Sequence, residues 1–146
     1  MPTVLDVLAH KGAQVFVTTP ESSVREAAHL MNTHGVGALV VQSDGRIVGI
    51  FTERDVLRRV VAESRDPGLT KVEHVMTREV ATLGPDAELD DVRATFMNRC
   101  IRHLPVVDDD GRLLGMVSIG DVNAWTLDGQ ALEIHYLHEY ITGSVA

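Results

Sequence analysis

The apolar positions change period along the chain, and those changes mark its elements. Val24, Ala27, Ala28 and Met31 fall at i, i+3, i+4 and i+7, the stripe of one buried helical face. Ser23 and Glu26 are spaced as a capping box ahead of it, and Gly35 stops it. The run Val36-Gly37-Ala38-Leu39-Val40-Val41 reads as a buried strand. Ser43-Asp44-Gly45 turns the chain, and Arg46 to Phe51 returns as a second strand. Thr52 to about Ala62 is predicted helical, with Val56, Leu57, Val60 and Val61 apolar. Upstream, Thr3 to about Lys11 reads as a short helix with Thr3 and Asp6 at capping spacing. Gln14-Val15-Phe16-Val17-Thr18 reads as a short strand before a turn at Pro20.

A polar break, Glu63 to Thr70 with Pro67 and Gly68, is followed by the same order of elements. Pro85, Leu89 and Phe96 stand 65 residues after Pro20, Val24 and Met31, and Ile101, Leu104 and Val106 keep that offset from Val36, Leu39 and Val41. Val80 falls roughly opposite Phe16 or Val17. Past the second hairpin turn the offset becomes 66: Gly111, Gly115 and Asp121 answer Gly45, Gly49 and Asp55. The one extra residue lies in Asp108-Asp109-Asp110, a turn in which an insertion costs little. The chain is therefore expected to be a duplication, with a helix and lead-in at 1–14, one repeat at 15–62, a linker at 63–71, a second repeat at 72–123 and a helical extension at 124–146. Units of this size barely bury enough surface to be stable alone, so the two should pack together. The segment from Asp121 to about Ile141, which runs into that extension, carries Val122, Trp125, Leu132, Tyr136 and Tyr140 on a broken stripe. With the N-terminal helix it is expected to cover the unit or to pair with a second copy.

Composition narrows the partners. A formal net charge of −8 argues against a nucleic-acid backbone or an anionic membrane surface, while leaving room for a small nucleotide that needs only local cations. A single cysteine excludes an internal disulfide and a multi-cysteine zinc site. No apolar run approaches the roughly 20 residues of a membrane span, and no signal peptide is read at the start. The expectation is a soluble cytoplasmic protein.

The duplicated stretch Gly49-Ile50-Phe51-Thr52-Glu53-Arg54-Asp55 and Gly115-Met116-Val117-Ser118-Ile119-Gly120-Asp121 carries the candidate chemistry. Thr52 with Asp55, and Ser118 with Asp121, are spaced as capping boxes. The same geometry serves a ligand. A helix N-terminus offers N–H groups to a phosphate, a carboxylate accepts the two hydroxyls of a ribose, and a glycine lets backbone approach closely. The two roles can coexist. Repeat one adds Arg54 where repeat two has Gly120, so the two sites are not equivalent.

The ordered set resembles the cystathionine-β-synthase (CBS) domain, present as a tandem pair, the arrangement called a Bateman module. It is carried by Val72-Glu73-His74-Val75-Met76-Thr77, Leu83-Gly84-Pro85-Asp86, Ile101-Arg102-His103-Leu104-Pro105-Val106-Val107, Asp110-Gly111-Arg112 and the repeated stretch. Repeat one departs at Val40, where repeat two has Pro105. The resemblance implies an α/β (α+β) fold of two βαββα repeats related by a pseudo-twofold, with N- and C-terminal helices. It also implies a regulatory rather than catalytic protein that binds an adenosine compound (AMP, ADP, ATP, NAD(H) or S-adenosylmethionine), commonly dimerises and signals to a regulated partner. Carried over by resemblance, the nucleotide-binding residues are Thr52, Arg54 and Asp55; Ser118 and Asp121; Val15 and Val17; Met76, Thr77 and Val80; Val36, Gly37 and Ala38; and Ile101, Arg102, His103 and Pro105. Arg54, Arg102 and His103 are the candidates for phosphate.

Other features weigh less. His135 and His138, with Glu133 or Glu139, are read as an exposed face rather than a metal site. Cys100 is read as a small packing residue, Asp108-Asp109-Asp110 as a solvated turn, and Asp90 with Asp91 as surface. A ligand-independent dimeric scaffold is the alternative to a nucleotide sensor. No constellation supports an enzyme.

Overall fold

Thr18 and Leu83 anchor the same construction twice. The computed structural model of the chain describes residues 2–12 and 14–127. In the first repeat, β1 (Val17–Thr18) lies parallel to β2 (Ala38–Ser43), which pairs antiparallel with β3 (Arg46–Thr52). In the second, β4 (His103–Val107) pairs antiparallel with β5 (Leu113–Ser118). The first strand expected there is reduced to one parallel bridge, Leu83 with Val106, which stands 65 residues after the Thr18–Val41 pair. That register sets Val80 opposite Val15, not Phe16 or Val17. The first strand of repeat one is also shorter than the five residues from Gln14 to Thr18, because only its end meets β2. Both hairpins carry a bulge at the matching place, after Val41 and after Val106.

The helices follow the capping residues. α1 (Val4–Lys11) starts on the reciprocal Thr3–Asp6 box, and α2 (Val24–His34) starts at Ser23, whose hydroxyl accepts from the Glu26 N–H. α4 (Leu89–Arg99) matches α2. α3 (Glu53–Asp55) continues directly as a π-helix over Val56–Val61, whereas the equivalent α5, described from 119 to 127, is α-helical throughout. Val60 is buried, but Leu57 and Val61 are 61% and 63% exposed, so this helix hides only one of its two apolar edges.

The repeats exchange their leading segments. α1 contributes Val4, Val7 and Leu8 to the core of the second repeat, beside Leu89, Val92, Phe96, Leu104, Val106, Val117 and Val122. Val72, Val75 and Met76, each 68 residues further on, enter the core of the first repeat with Val24, Met31, Leu39, Val41 and Phe51. Backbone bridges repeat the pattern: Thr3 pairs with Glu88, and Lys71 with Ser23. The exchange sets the need for Gly49. A Cβ there would fall 2.5 Å from Met76 Sδ and 3.0 Å from the Thr77 carbonyl, where Ile50 and Thr77 exchange backbone hydrogen bonds.

Cys100 corrects its sequence reading. It is exposed rather than packed, and it ends α4 in the left-handed conformation (φ 54, ψ 37), at the position where Gly35 ends α2 (φ 62, ψ 35). A side chain in that region costs roughly 1–2 kcal/mol. Cys100→Gly is therefore expected to stabilise the chain by about 0.5–1 kcal/mol, the relief being partly offset by the larger backbone entropy that glycine loses on folding. Urea denaturation measures the change, and a destabilised variant would contradict the cap assignment.

Candidate functional site

Two clefts open where the repeats meet, and each takes walls from both. The first, about 500 Å³, is lined by Ile50, Thr52, Glu53, Arg54, Asp55, Leu57, Arg58 and Arg59 with Gly37 from the first repeat, and by Thr77, Cys100, Ile101, Arg102 and His103 from the second. The second, about 220 Å³, joins Ser118, Asp121, Met116 and His103 to Gln14, Val15, Phe16, Val36, Gly37 and Ala38, with Lys11 from the end of α1. Gly37 and His103 belong to both linings. Each motif thus faces the strand start of the opposite repeat. Of the residues singled out in the sequence, Val17, Met76, Val80 and Pro105 line neither cleft. Val17 points outward, Met76 is in the first core, and Pro105 is buried in β4 opposite Met116.

The first motif is a complete capping box. The Asp55 N–H donates to Thr52 Oγ1 at 3.2 Å, and the Thr52 N–H donates to Asp55 Oδ2 at 3.0 Å. The Glu53 N–H donates to the Gly37 carbonyl at 3.1 Å, and the matching Ile119 N–H to Arg102 at 2.9 Å. At the first motif these bonds occupy the N–H groups of Thr52, Glu53 and Asp55. Positive charge in the cleft comes from side chains. Arg54, Arg58, Arg59 and Arg102 line the cleft, against the carboxylates of Glu53 and Asp55. Arg58 was not singled out in the sequence, although its i+4 spacing from Arg54 places both on one helical side. Arg54 Nη1 donates to the Cys100 carbonyl at 3.3 Å and so joins the two repeats across the cleft.

Asp55 is buried and committed. Besides the Thr52 N–H it accepts from Thr77 Oγ1 at 3.2 Å, and Arg59 Nε stands 3.8 Å from Oδ1. The Arg59 guanidinium is itself anchored on the carbonyls of Val75 and Met76, at 3.2 and 2.8 Å. Asp55 therefore ties the motif to the lead-in of the second repeat as well as facing the cleft.

In the second motif the Asp121 N–H donates to Ser118 Oγ, the Ser118 N–H donates to Asp121 Oδ2 at 2.8 Å, and the same oxygen receives Lys11 Nζ at 2.6 Å. Burial works to raise the Asp121 pKa, but the hydrogen bonds from Lys11 and Ser118 outweigh it and the carboxyl titrates below its ordinary value. His103, on the wall between the clefts, is held below its usual pKa chiefly by burial. Asp121 and Glu53 pull it back up, and Lys11 and Arg102 push it further down. Lys11 carries no local sign of this role, because its partner is 110 residues away.

The CBS domain family matches the chain twice, over residues 6–62 and 72–127. The chain belongs to the CBS-domain family. It is 36% identical over 150 residues to the CBS domain-containing protein CBSX3, mitochondrial, of Arabidopsis thaliana, a match covering 97% of this chain and 72% of that one. A solved CBS-domain protein from Burkholderia ambifaria MC40-6 matches with a TM-score of 0.85 at 37% identity, over 88% of this chain and 96% of that one. The CBS domain pair of MJ0100, solved in complex with 5'-methylthioadenosine and S-adenosyl-L-methionine, matches at 28% identity with a TM-score of 0.77, over 86% of this chain and 99% of that one. Two CBS repeats in a mixed α/β fold are what both the residues and the relatives describe. Among the described residues no helix is long and apolar enough to cross a membrane.

Proposed function

We propose that this CBS pair is a regulatory module that binds an adenosine nucleotide in the first cleft and signals its occupancy to a partner protein. The observation that carries the reading is the composition of that cleft: a carboxylate beside a capped helix start, aliphatic walls, and arginines contributed by both repeats. Its volume lies within the roughly 300–1,000 Å³ of small-molecule sites. Asp55 would take the ribose hydroxyls, Ile50 and Ile101 would flank the base, and Arg54, Arg58 and Arg102 would meet phosphates through their planar forks. The adenosine compounds bound by the MJ0100 pair support the choice of nucleoside. Three arginines favour ATP, ADP or the pyrophosphate of NAD(H) over AMP and over cationic S-adenosylmethionine.

Signalling follows from Arg54. Its bond to the Cys100 carbonyl holds one repeat to the other. A phosphate that recruits Arg54 exchanges this link for one through the ligand and resets the repeats, a coupling of typically ~1–3 kcal/mol. Thermal-shift titration with ATP, ADP, AMP, NADH and S-adenosylmethionine tests the reading. A ligand at 100 times its dissociation constant stabilises by ~2.7 kcal/mol. ATP is expected to give the largest shift, and no shift with any of them at millimolar concentration rejects the proposal.

A ligand-independent dimeric scaffold is the second reading. It is favoured by Leu57 and Val61, exposed four residues apart on the π-helix, and by Leu127, 63% exposed at the position matching Val61. In that case light scattering would report a homodimer whose mass and melting are indifferent to nucleotide.

A further inference from the structure

The second cleft contains a cation supplied by the chain itself. Lys11 is the last residue of α1, and Val4, Val7 and Leu8 seat that helix on the second core. Its ammonium donates to Asp121 Oδ2 at 2.6 Å and to the Met116 carbonyl at 2.8 Å. The pair is only partly shielded from solvent, with side-chain exposures of 30% for Lys11 and 24% for Asp121. Among the described residues the first cleft has no such occupant. The cation nearest Asp55 is Arg59, 3.8 Å away on the same helix and turned to the carbonyls of Val75 and Met76. The contrast goes with the volumes, about 220 against 500 Å³. An ammonium offers the donors that a ribose diol would offer to a carboxylate, with a full charge added.

We infer that Lys11 is a built-in occupant of the second cleft. It holds the Asp121 carboxylate in place of a ribose, confines the intact chain to ligand in the first cleft, and leaves the second as a latent site for an adenosine compound without phosphate. The inference rests on the proposed nucleoside class. The absence of phosphate follows from the lining. Apart from Lys11, His103 and Asp121 the lining is uncharged, from Gln14, Val15 and Phe16 through 35–38 to Met116 and Ser118, and burial disfavours a charged His103. Once Lys11 is displaced, Asp121 faces the ligand as an anion with no lysine or arginine beside it, which repels phosphate and leaves hydroxyl donors as its partners. A tethered occupant weakens binding by the fraction of time the site is open. Removing it is expected to tighten the second site by about 10- to 100-fold.

The test is isothermal titration of the full chain with 5'-methylthioadenosine, which has the base and ribose diol and no phosphate. Wild type, Lys11→Ala, Lys11→Gln and Lys11→Arg are compared, with circular dichroism as the check on folding. Alanine and glutamine both favour a helix, so the two neutral variants keep α1. Both are expected to bind one equivalent more than wild type, and Lys11→Arg to behave as wild type. Adding Asp121→Asn to Lys11→Ala should remove the gained equivalent. Unchanged stoichiometry in both neutral variants overturns the inference, as does a wild type that already fills two sites or a gained equivalent that survives Asp121→Asn. A parallel ATP titration of wild type reports on the first cleft alone. Its failure would reject the nucleotide reading there, while the difference between Lys11→Ala and wild type would still decide the role of Lys11.

Discussion

Deleting residues 1–12 is expected to unfold the second repeat. α1 looks like an appendage in the linear order, yet Val4, Val7 and Leu8 are 0%, 2% and 4% exposed, and all three lie in the second core. Burying a side chain of this size contributes roughly 1.5–3 kcal/mol, so the three together amount to ~5–9 kcal/mol, an upper estimate because the unfolded chain is itself partly collapsed. The bond from the Val4 N–H to the Ala87 carbonyl is lost as well. Domains are stable by only about 5–15 kcal/mol in total. The truncated chain should melt at least about 10 °C lower or lose its cooperative transition, with amide protection vanishing first from β4 and β5. Melting within a few degrees of the intact chain would show that the second core closes without α1.

The hairpins and their duplication were legible in the sequence because they are local. Val36 to Val41, the Asp44-Gly45 turn and the return strand specify each other within a few residues. The offset of 65 then 66 marks the second copy and places its extra residue in a turn. The motif residues were legible for the same reason, since a capping box is a spacing of three. What the sequence concealed is long-range. Periodicity says that Val4, Val7 and Leu8 share a face, but not that the face belongs to the repeat further along the chain. Nor does any local pattern join Lys11 to Asp121, or set Thr77 against Asp55. The π-helix was hidden because Val56, Leu57, Val60 and Val61 satisfy an α-helical stripe, although only Val60 among them is fully buried. Cys100 misled because its role lies in its backbone. The pattern that makes Gly35 an obvious stop gives no warning that a cysteine holds the same left-handed angles. Tyr136, Tyr140, Leu132, His135 and His138 lie outside the described residues.

Replacing Asp55 separates the two roles that its position combines. Asp55→Ala removes the acceptor of the Thr52 N–H and of the Thr77 hydroxyl, and it leaves Arg59 without its carboxylate. Loss of a cap and of a charged hydrogen bond at a residue only 6% exposed should destabilise by about 2–4 kcal/mol. The alanine variant alone is therefore uninformative about ligand, since a weakened fold also binds poorly. Asp55→Asn keeps one oxygen for the Thr52 N–H and should restore most of the stability. It replaces the other oxygen with an amide that donates, so it cannot accept both hydroxyls of a ribose. If Asp55 holds the ribose, the asparagine variant melts near wild type yet binds ATP about 10- to 100-fold more weakly, the lost bond being worth roughly 1.5–3 kcal/mol. If the carboxylate serves only the helix start, the asparagine variant both folds and binds normally. Arg54→Ala provides the charge control. It should weaken ATP by about 10- to 100-fold while leaving 5'-methylthioadenosine unaffected, because that ligand has no phosphate for the guanidinium to meet. Loss of both ligands in Arg54→Ala would assign the arginine to holding the repeats together through Cys100 rather than to the phosphate.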